Sequence, residues 1–163
     1  MPTPTTSTAA LSTLLAAVAD KARAAAVFGE VSIKNNVLSA AAKASAEPAE
    51  YRLFIESNVL WVALVTEHRW LSQSIEADLV HTGDKLNELI REELINLGWE
   101  NFAPTFEHFR DEKKLYTFRT RLTPPLDLAR AADAATINHA ALALLAYEAT
   151  FRMLGDMEAD DEE

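Results

Sequence analysis

Residues 59–65 read Val-Leu-Trp-Val-Ala-Leu-Val, an unbroken apolar run. At that length, with β-branched and aromatic members, the run predicts a strand buried on both faces rather than a helix. Just before it, Tyr51, Leu53 and Ile55 alternate with Arg52, Phe54 and Glu56. Ser57-Asn58 then predicts a two-residue turn, because Asn tolerates the positive φ needed there. Glu67-His68 reads as the next turn. Beyond it, Leu71, Ile75, Ala77 and Leu79 alternate with Ser72, Ser74, Glu76 and Asp78, which predicts a third, half-exposed strand.

A strand that is apolar on both sides needs cover on both sides. Helical periodicity offers some of it. Leu11, Leu14, Leu15, Val18, Ala22 and Ala25 predict an Ala-rich helix from about Ser7 or Thr8 to Val27, ended by Gly29. Leu86, Leu89, Ile90, Leu94 and Leu97 predict a second helix, capped by Thr82 and stopped by Gly98. A last helix starts near Pro124-Pro125 and runs to about Gly155. Its stripe of Ile137, Ala140, Ala141, Leu144, Tyr147, Phe151 and Leu154 is widened by Leu142, Leu145 and Met153, a width that suits contact with more than one surface. The last two helices can cover one side of the sheet and the thin first helix part of the other. A second subunit in isologous contact would finish the cover, so a homodimer is expected.

Residues 106–110 and 115–122 predict a second hairpin around Asp111-Glu112-Lys113. Residues 28–48 admit several readings: a short strand at Val31 and Ile33, a short Ala-rich helix from Asn36 to Lys43, or a mobile linker over 40–49. The order is then α-βββ-α-ββ-α. Segregated strands and helices define an α+β fold with a five-stranded antiparallel sheet. The expected organisation is a disordered leader over 1–7, one domain over 8–155 and an acidic disordered tail over 156–163. The whole chain of 163 residues fits a single domain.

Composition removes several kinds of chemistry. There is no cysteine, so disulfides, thiolate catalysis and zinc-cysteine sites are excluded. The only glycines, Gly29, Gly83, Gly98 and Gly155, cannot spell a phosphate-binding loop. The net charge is −10, and residues from Asp156 onward are acidic without a basic residue. That disfavours direct binding to DNA, which depends on Lys and Arg displacing counterions from phosphates. No apolar stretch is long enough for a membrane span and no basic leader opens the chain, so the cytoplasm is the expected location.

Candidate sites are few. His68, His81, His108 and His139 have no helical metal-ligand spacing, and His108 and Glu107 face opposite sides of a strand. Glu88, Glu92 and Glu93 read as a solvated helix face. No GxSxG elbow is present, and no nucleophile with a paired base is apparent. No cofactor, metal site or catalytic residue is therefore expected. Arg110, Lys113, Lys114, Arg119 and Arg121 interleave with Phe106, Phe109, Tyr116 and Phe118 on the second hairpin. Two readings stand: an amphipathic hairpin with Tyr116, Phe118 and Leu122 on its core face, or a platform for single-stranded nucleic acid. Trp61 reads as core and Trp99 as the apolar contact of a helix end. Trp70, on the polar face of the predicted third strand, reads as a protein-binding anchor or as a residue covered by a neighbour. Trp70, Phe54, Phe109, Arg119 and Arg121 are the candidate partner-binding or dimer contacts.

The element order, the run YRLFIESNVLWVALV and the paired segments NELIREELINLGW and FEHFRDEKKLYTFRTRL resemble the YbjN-like bacterial proteins and, in fold, the type III secretion chaperones. The resemblance covers about residues 8–155, and residues 28–48 depart from it. The acidic, Ala-rich composition resembles the YbjN-like proteins of Deinococcus. This resemblance implies a small homodimeric, non-enzymatic, chaperone-like adaptor. It also implies a setting in the DNA damage response, with a single-stranded-DNA-binding protein such as DdrB as partner. Direct binding of single strands through the 106–121 hairpin is the alternative, and an enzyme with a carboxylate–histidine site is the third reading.

Overall fold

The computed structural model describes residues 8–43, 48–83, 85–110, 114–123, 126–152 and 154. The leader over 1–7 and the acidic tail over 156–163 lie outside the described residues. The order is α1 (Thr8–Ala25), β1 (Phe28–Lys34), β2 (Val37–Ala42), β3 (Glu50–Glu56), β4 (Val59–Thr66), α2 (Arg69–Thr82), α3 (Leu86–Asn96), β5 (Glu107–Arg110), β6 (Tyr116–Arg121) and α4 (Ala134–Arg152). A single 3₁₀ turn, Leu128–Arg130, precedes α4. The fold is α+β, with a six-stranded antiparallel sheet in the order β1-β2-β3-β4-β6-β5.

Two changes separate this order from the expected α-βββ-α-ββ-α. Residues 28–42 form a hairpin, so strand replaces the short helix at Asn36–Lys43 and the linker reading over 40–42, and residues 44–47 of that linker lie outside the described residues. Asn35 and Asn36 sit at φ 53° and 61°, as do Ser57 and Asn58 in the next turn. Both are two-residue turns between paired strand ends, Lys34 with Val37 and Glu56 with Val59. Successive positive φ values match the right-handed twist of the flanking strands, and Asn pays the smallest steric cost there after Gly. The Ala content of β2 obscures this from sequence, because Ala is a weak strand former. Its reason is packing: α1 lies against β1 and β2, and Ala40 is fully buried beneath it.

The second change concerns residues 69–82, which are helix and not the expected third strand. Leu71, Ile75 and Leu79 recur every four residues, a spacing common to a period of two and a period of 3.6. Ser72, Ser74 and Asp78 are buried on the helix underside, so polarity gives a false alternation. Glu67-His68 is accordingly the entry to α2, with His68 at its N-cap position.

Smaller boundaries also differ. α1 ends at Ala25, and Ala26, not Gly29, takes the left-handed position at φ 59°. Gly29 lies inside β1 at a register shift, where an added Cβ would come 3.1 Å from the Ala41 Cβ. Thr82 closes α2 and does not cap α3, whose N-cap position is Lys85. Gly98 does end α3: its φ is 107°, the Gly98 N–H donates to Ile95 and the Trp99 N–H donates to Leu94. This is a Schellman closure, and it carries Trp99 into the core stacked on Phe102 and His139. α4 begins at Ala134, later than expected, after Asp127 caps the 3₁₀ turn through the Ala129 N–H at 2.9 Å. Pro124-Pro125, Met153 and Gly155 lie outside the described residues.

All the helices lie on one face of the sheet. α1 and α4 pack together, α4 contacts β3 and β4, α3 packs on α4, and α2 lies beside β4. Their core takes Leu38, Ala40, Tyr51, Leu53, Leu60, Val62, Leu64 and Phe118 from the strands. The buried stripe of α4 is as wide as the sequence reading requires, running from Ala140 and Ala141 through Leu144 and Tyr147 to Phe151. The expectation that α1 covers part of the opposite face is corrected, since α1 shares the side of α4. Asn58→Val and Asn36→Val are each predicted to lower the stability measured by urea unfolding by about 1–2 kcal/mol, the cost of a β-branched side chain in the left-handed region. Asn58→Gly is predicted to leave it unchanged or raise it.

Candidate functional site

Pairing registers place the odd-numbered residues of β4 on the helix-free face. One row across the sheet there reads Ser39, Arg52, Ala63, Arg119, Glu107. A second reads Phe54, Trp61, Arg121, and a third Ala41, Glu50, Val65, Thr117, Phe109. Phe54, Phe109, Arg119 and Arg121, four of the five candidate contacts, therefore share one surface. Trp70 does not. It lies on α2 and is 42 % exposed.

Arg119 is the centre of this surface. Its guanidinium carbon stands 3.8 Å from the Trp61 ring centroid and 4.9 Å from that of Phe109. Its Nε donates to Glu107 Oε1 and its Nη1 to Glu56 Oε2, each at 3.0 Å. The indole is thereby left only 7 % exposed with no helix above it. A guanidinium over a desolvated indole contributes about 0.5–2 kcal/mol. Two charge-assisted hydrogen bonds offset the partial loss of water around Arg119. Beside it, Arg52 Nε donates to Glu50 Oε2 at 2.7 Å and Arg121 Nε donates to the Thr123 carbonyl at 2.9 Å. The Trp61 Nε1–H is buried and has no acceptor among the described residues.

The hairpin platform is split by the same geometry. Phe118 turns to the helix face, where it stacks on His108 and meets Phe151. Tyr116 shares that side with Arg110. Phe109 is thus the one hairpin aromatic among the described β5 and β6 residues that shares the open face with Arg119 and Arg121. The amphipathic reading of β6 holds: Phe118 belongs to the core and Arg119 to the open face. The turn at 111–113 lies outside the described residues. Sequence reasoning missed Trp61 as an open-face residue and Glu56 as an Arg119 partner. The alternation of β4 against Phe54 carries the first, whereas the β4–β6 pairing behind the second has no local signal.

A second polar cluster links α2 to β5. Ser72 Oγ and His108 Nε2 are 3.0 Å apart, and His108 Nδ1 is 3.8 Å from Glu76 Oε1. The His108 ring stacks on Phe118 at 3.8 Å. The order serine, histidine, carboxylate matches a hydrolytic triad, but Ser72 is 1 % exposed and no substrate carbonyl can reach its Oγ. The cluster is a clip holding the polar underside of α2. Burial lowers the His108 pKa below the ordinary histidine value, against an opposing pull from Glu76. Nearby, the buried Tyr147 hydroxyl meets Thr120 Oγ1 at 2.6 Å, and Thr120 donates to the Thr105 carbonyl at 2.7 Å.

The outer side of α2 is the remaining surface feature. Trp70, Ala77 and Val80 face outward, and Val80 is 82 % exposed. Gln73, Glu76, Ala77, Val80 and His81 line an open hollow of about 490 Å³. The sheet edges, by contrast, are blunted. β1 is broken by its register shift, and its Val31 carbonyl accepts from Arg23 Nη2 at 3.1 Å. β5 spans only Glu107–Arg110. Short, irregular or charged edges resist addition of a strand.

Among the described residues no group of three or more histidines and carboxylates could hold a metal ion, and no helix is long and apolar enough to cross a membrane. No protein-family model, curated protein or solved structure matches this chain.

Two outcomes follow from this geometry. Arg119→Ala is predicted to cost about 1–3 kcal/mol in urea unfolding and to raise acrylamide quenching of Trp61, with Arg119→Lys falling between it and the native chain. For His108, the lowered folded pKa means that the unfolded chain binds more protons below about pH 6.5. Stability is therefore predicted to fall as pH drops below that value, by up to about 1.4 kcal/mol per pH unit. In His108→Gln that part of the dependence is absent, which unfolding midpoints at pH 7.5 and 5.5 would reveal.

Proposed function

We propose that this chain is a non-enzymatic, chaperone-like adaptor that works as a homodimer and binds another protein. The observation that carries the proposal is the pair of large apolar side chains, Trp70 and Val80, that α2 leaves in solvent. This helix buries Ser72, Ser74 and Asp78 and presents Trp70, Ala77 and Val80 to solvent beside an open hollow. α2 buries Leu71 and Ile75 as an amphipathic helix does, so Trp70 and Val80 are large apolar side chains beyond those its core contact accounts for, and such side chains left in solvent fit something that arrives from outside. An exposed Trp is the kind of side chain that anchors a binding hot spot. The blunted edges favour docking on a surface over strand addition.

The resemblance to YbjN-like proteins supports the same reading and adds a partner class, a single-stranded-DNA-binding protein of the DNA damage response. It rests on the strand run, the paired segments and the element order, the last of which the β1–β2 hairpin and α2 alter. Direct binding of single strands through the 106–121 hairpin has less support. Arg119 is already held by Glu56 and Glu107, and the hairpin aromatics divide between two faces.

Affinity capture of the tagged chain from the lysate of its own host, after nuclease treatment, tests the proposal. A stoichiometric partner is expected, retained by the native chain and reduced about tenfold or more by Val80→Glu, a change at an exposed position that leaves the fold intact. Absence of any saturable partner, or equal capture by Val80→Glu, contradicts it.

A further inference from the structure

The helix-free face of the sheet poses a separate question, since α2 belongs to the other layer. It bears four cations, Lys34, Arg52, Arg119 and Arg121, and three carboxylates, Glu50, Glu56 and Glu107. The face is nearly neutral, whereas the chain as a whole carries −10. Its charges alternate in sign within rows and between them. Phe54, Trp61 and Phe109 lie among them. A surface meeting a strongly charged partner needs one dominant sign. A surface meeting its own copy across a two-fold axis needs both signs interspersed and a net charge near zero.

We infer that two copies of this chain pair through this face, sheet against sheet, around Arg119 and Trp61. With a net charge of −10 on each copy, a nearly neutral face is one through which two copies can meet with little repulsion. Six strands about 4.8 Å apart and some 20 Å long project roughly 600 Å², the same order as the ~800 Å² per partner of a standard interface. Facing antiparallel sheets pack about 10 Å apart, which suits side chains of the size of Phe54 and Phe109.

The hydrogen-bond inventory points the same way. Among the described residues Arg119 uses its Nε and Nη1, on Glu107 and Glu56. The face therefore has donors to spare, and a second copy brings the carboxylates of its own Glu50, Glu56 and Glu107. Arg119 is already laid flat and fixed by two carboxylates, so little side-chain freedom remains to be lost on association.

This inference rests on the homodimer of the proposed function and assigns its surface. The test is sedimentation equilibrium of the full chain at about 1–100 μM, a range that brackets a micromolar dimer. The native chain is expected at twice its 18.0 kDa. Phe54→Glu and Arg121→Glu, both at partly or fully exposed positions, are each expected to weaken the dimer at least tenfold. Val80→Glu on α2 is expected to leave it unchanged, and circular dichroism of each variant reports folding. A native chain that stays at 18.0 kDa overturns both the dimer and its assigned surface. A dimer that survives Phe54→Glu and Arg121→Glu, or one lost with Val80→Glu, overturns the surface while the dimer stands. Partner capture by a monomeric Phe54→Glu chain separates the adaptor reading from both.

Discussion

Arg119 lying on Trp61 is the contact that lets this sheet exist with helices on one side only. β4 is apolar on both faces, and α4 with its neighbours covers Leu60, Val62 and Leu64. Trp61 remains on the other face. Burying an indole of 150–250 Å² is worth roughly 4–6 kcal/mol at 25 cal/mol per Å², more than the cation–π contact itself contributes. The guanidinium therefore acts chiefly as a lid, and the carboxylates of Glu56 and Glu107 hold the lid closed. Those carboxylates belong to β3 and β5, so one side chain on β6 fastens the short edge strand to the sheet centre.

The helix layer is held in a different way. α1 and α4 are fixed by apolar packing, but the underside of α2 is Ser72, Ser74 and Asp78 around Leu71 and Ile75. Hydrogen bonds replace part of the hydrophobic attachment, and His108 reaches from β5 to supply one of them. A polar attachment depends on geometry and protonation more than an apolar one does. α2 keeps Leu71 and Ile75 inward and still carries Trp70 and Val80 outward. The two surfaces thus have opposite characters: mixed in charge and flat on the sheet, apolar and hollowed on α2. They lie on opposite layers of the fold, so covering one leaves the other open.

Much of this was legible in the chain. The run from Val59 to Val65, the Ser57-Asn58 turn, the helix closed by Gly98 and the split of β6 into a Phe118 side and an Arg119 side all follow from period and turn chemistry. The β1–β2 hairpin was hidden because Ala-rich strands carry no β signal, although Asn35-Asn36 between VSIK and VLSA has the same turn chemistry as Ser57-Asn58. α2 was hidden because Leu71, Ile75 and Leu79 satisfy both periods and buried serines mimic an exposed strand face. Of the site, Phe54, Phe109, Arg119 and Arg121 were identifiable by type. Their meeting over Trp61 was not, because it depends on β6 pairing with β4, some 55 residues away in sequence.

The indole N–H resonances of Trp61, Trp70 and Trp99 report on whether a second copy covers the sheet face that Arg119 and Trp61 centre. In ¹⁵N-correlated spectra recorded over a concentration series, the Trp61 indole signal should shift as copies pair over Arg119, while Trp70 stays fixed. A Trp61 signal that is invariant with concentration, or a Trp70 signal that moves in its place, would contradict the account.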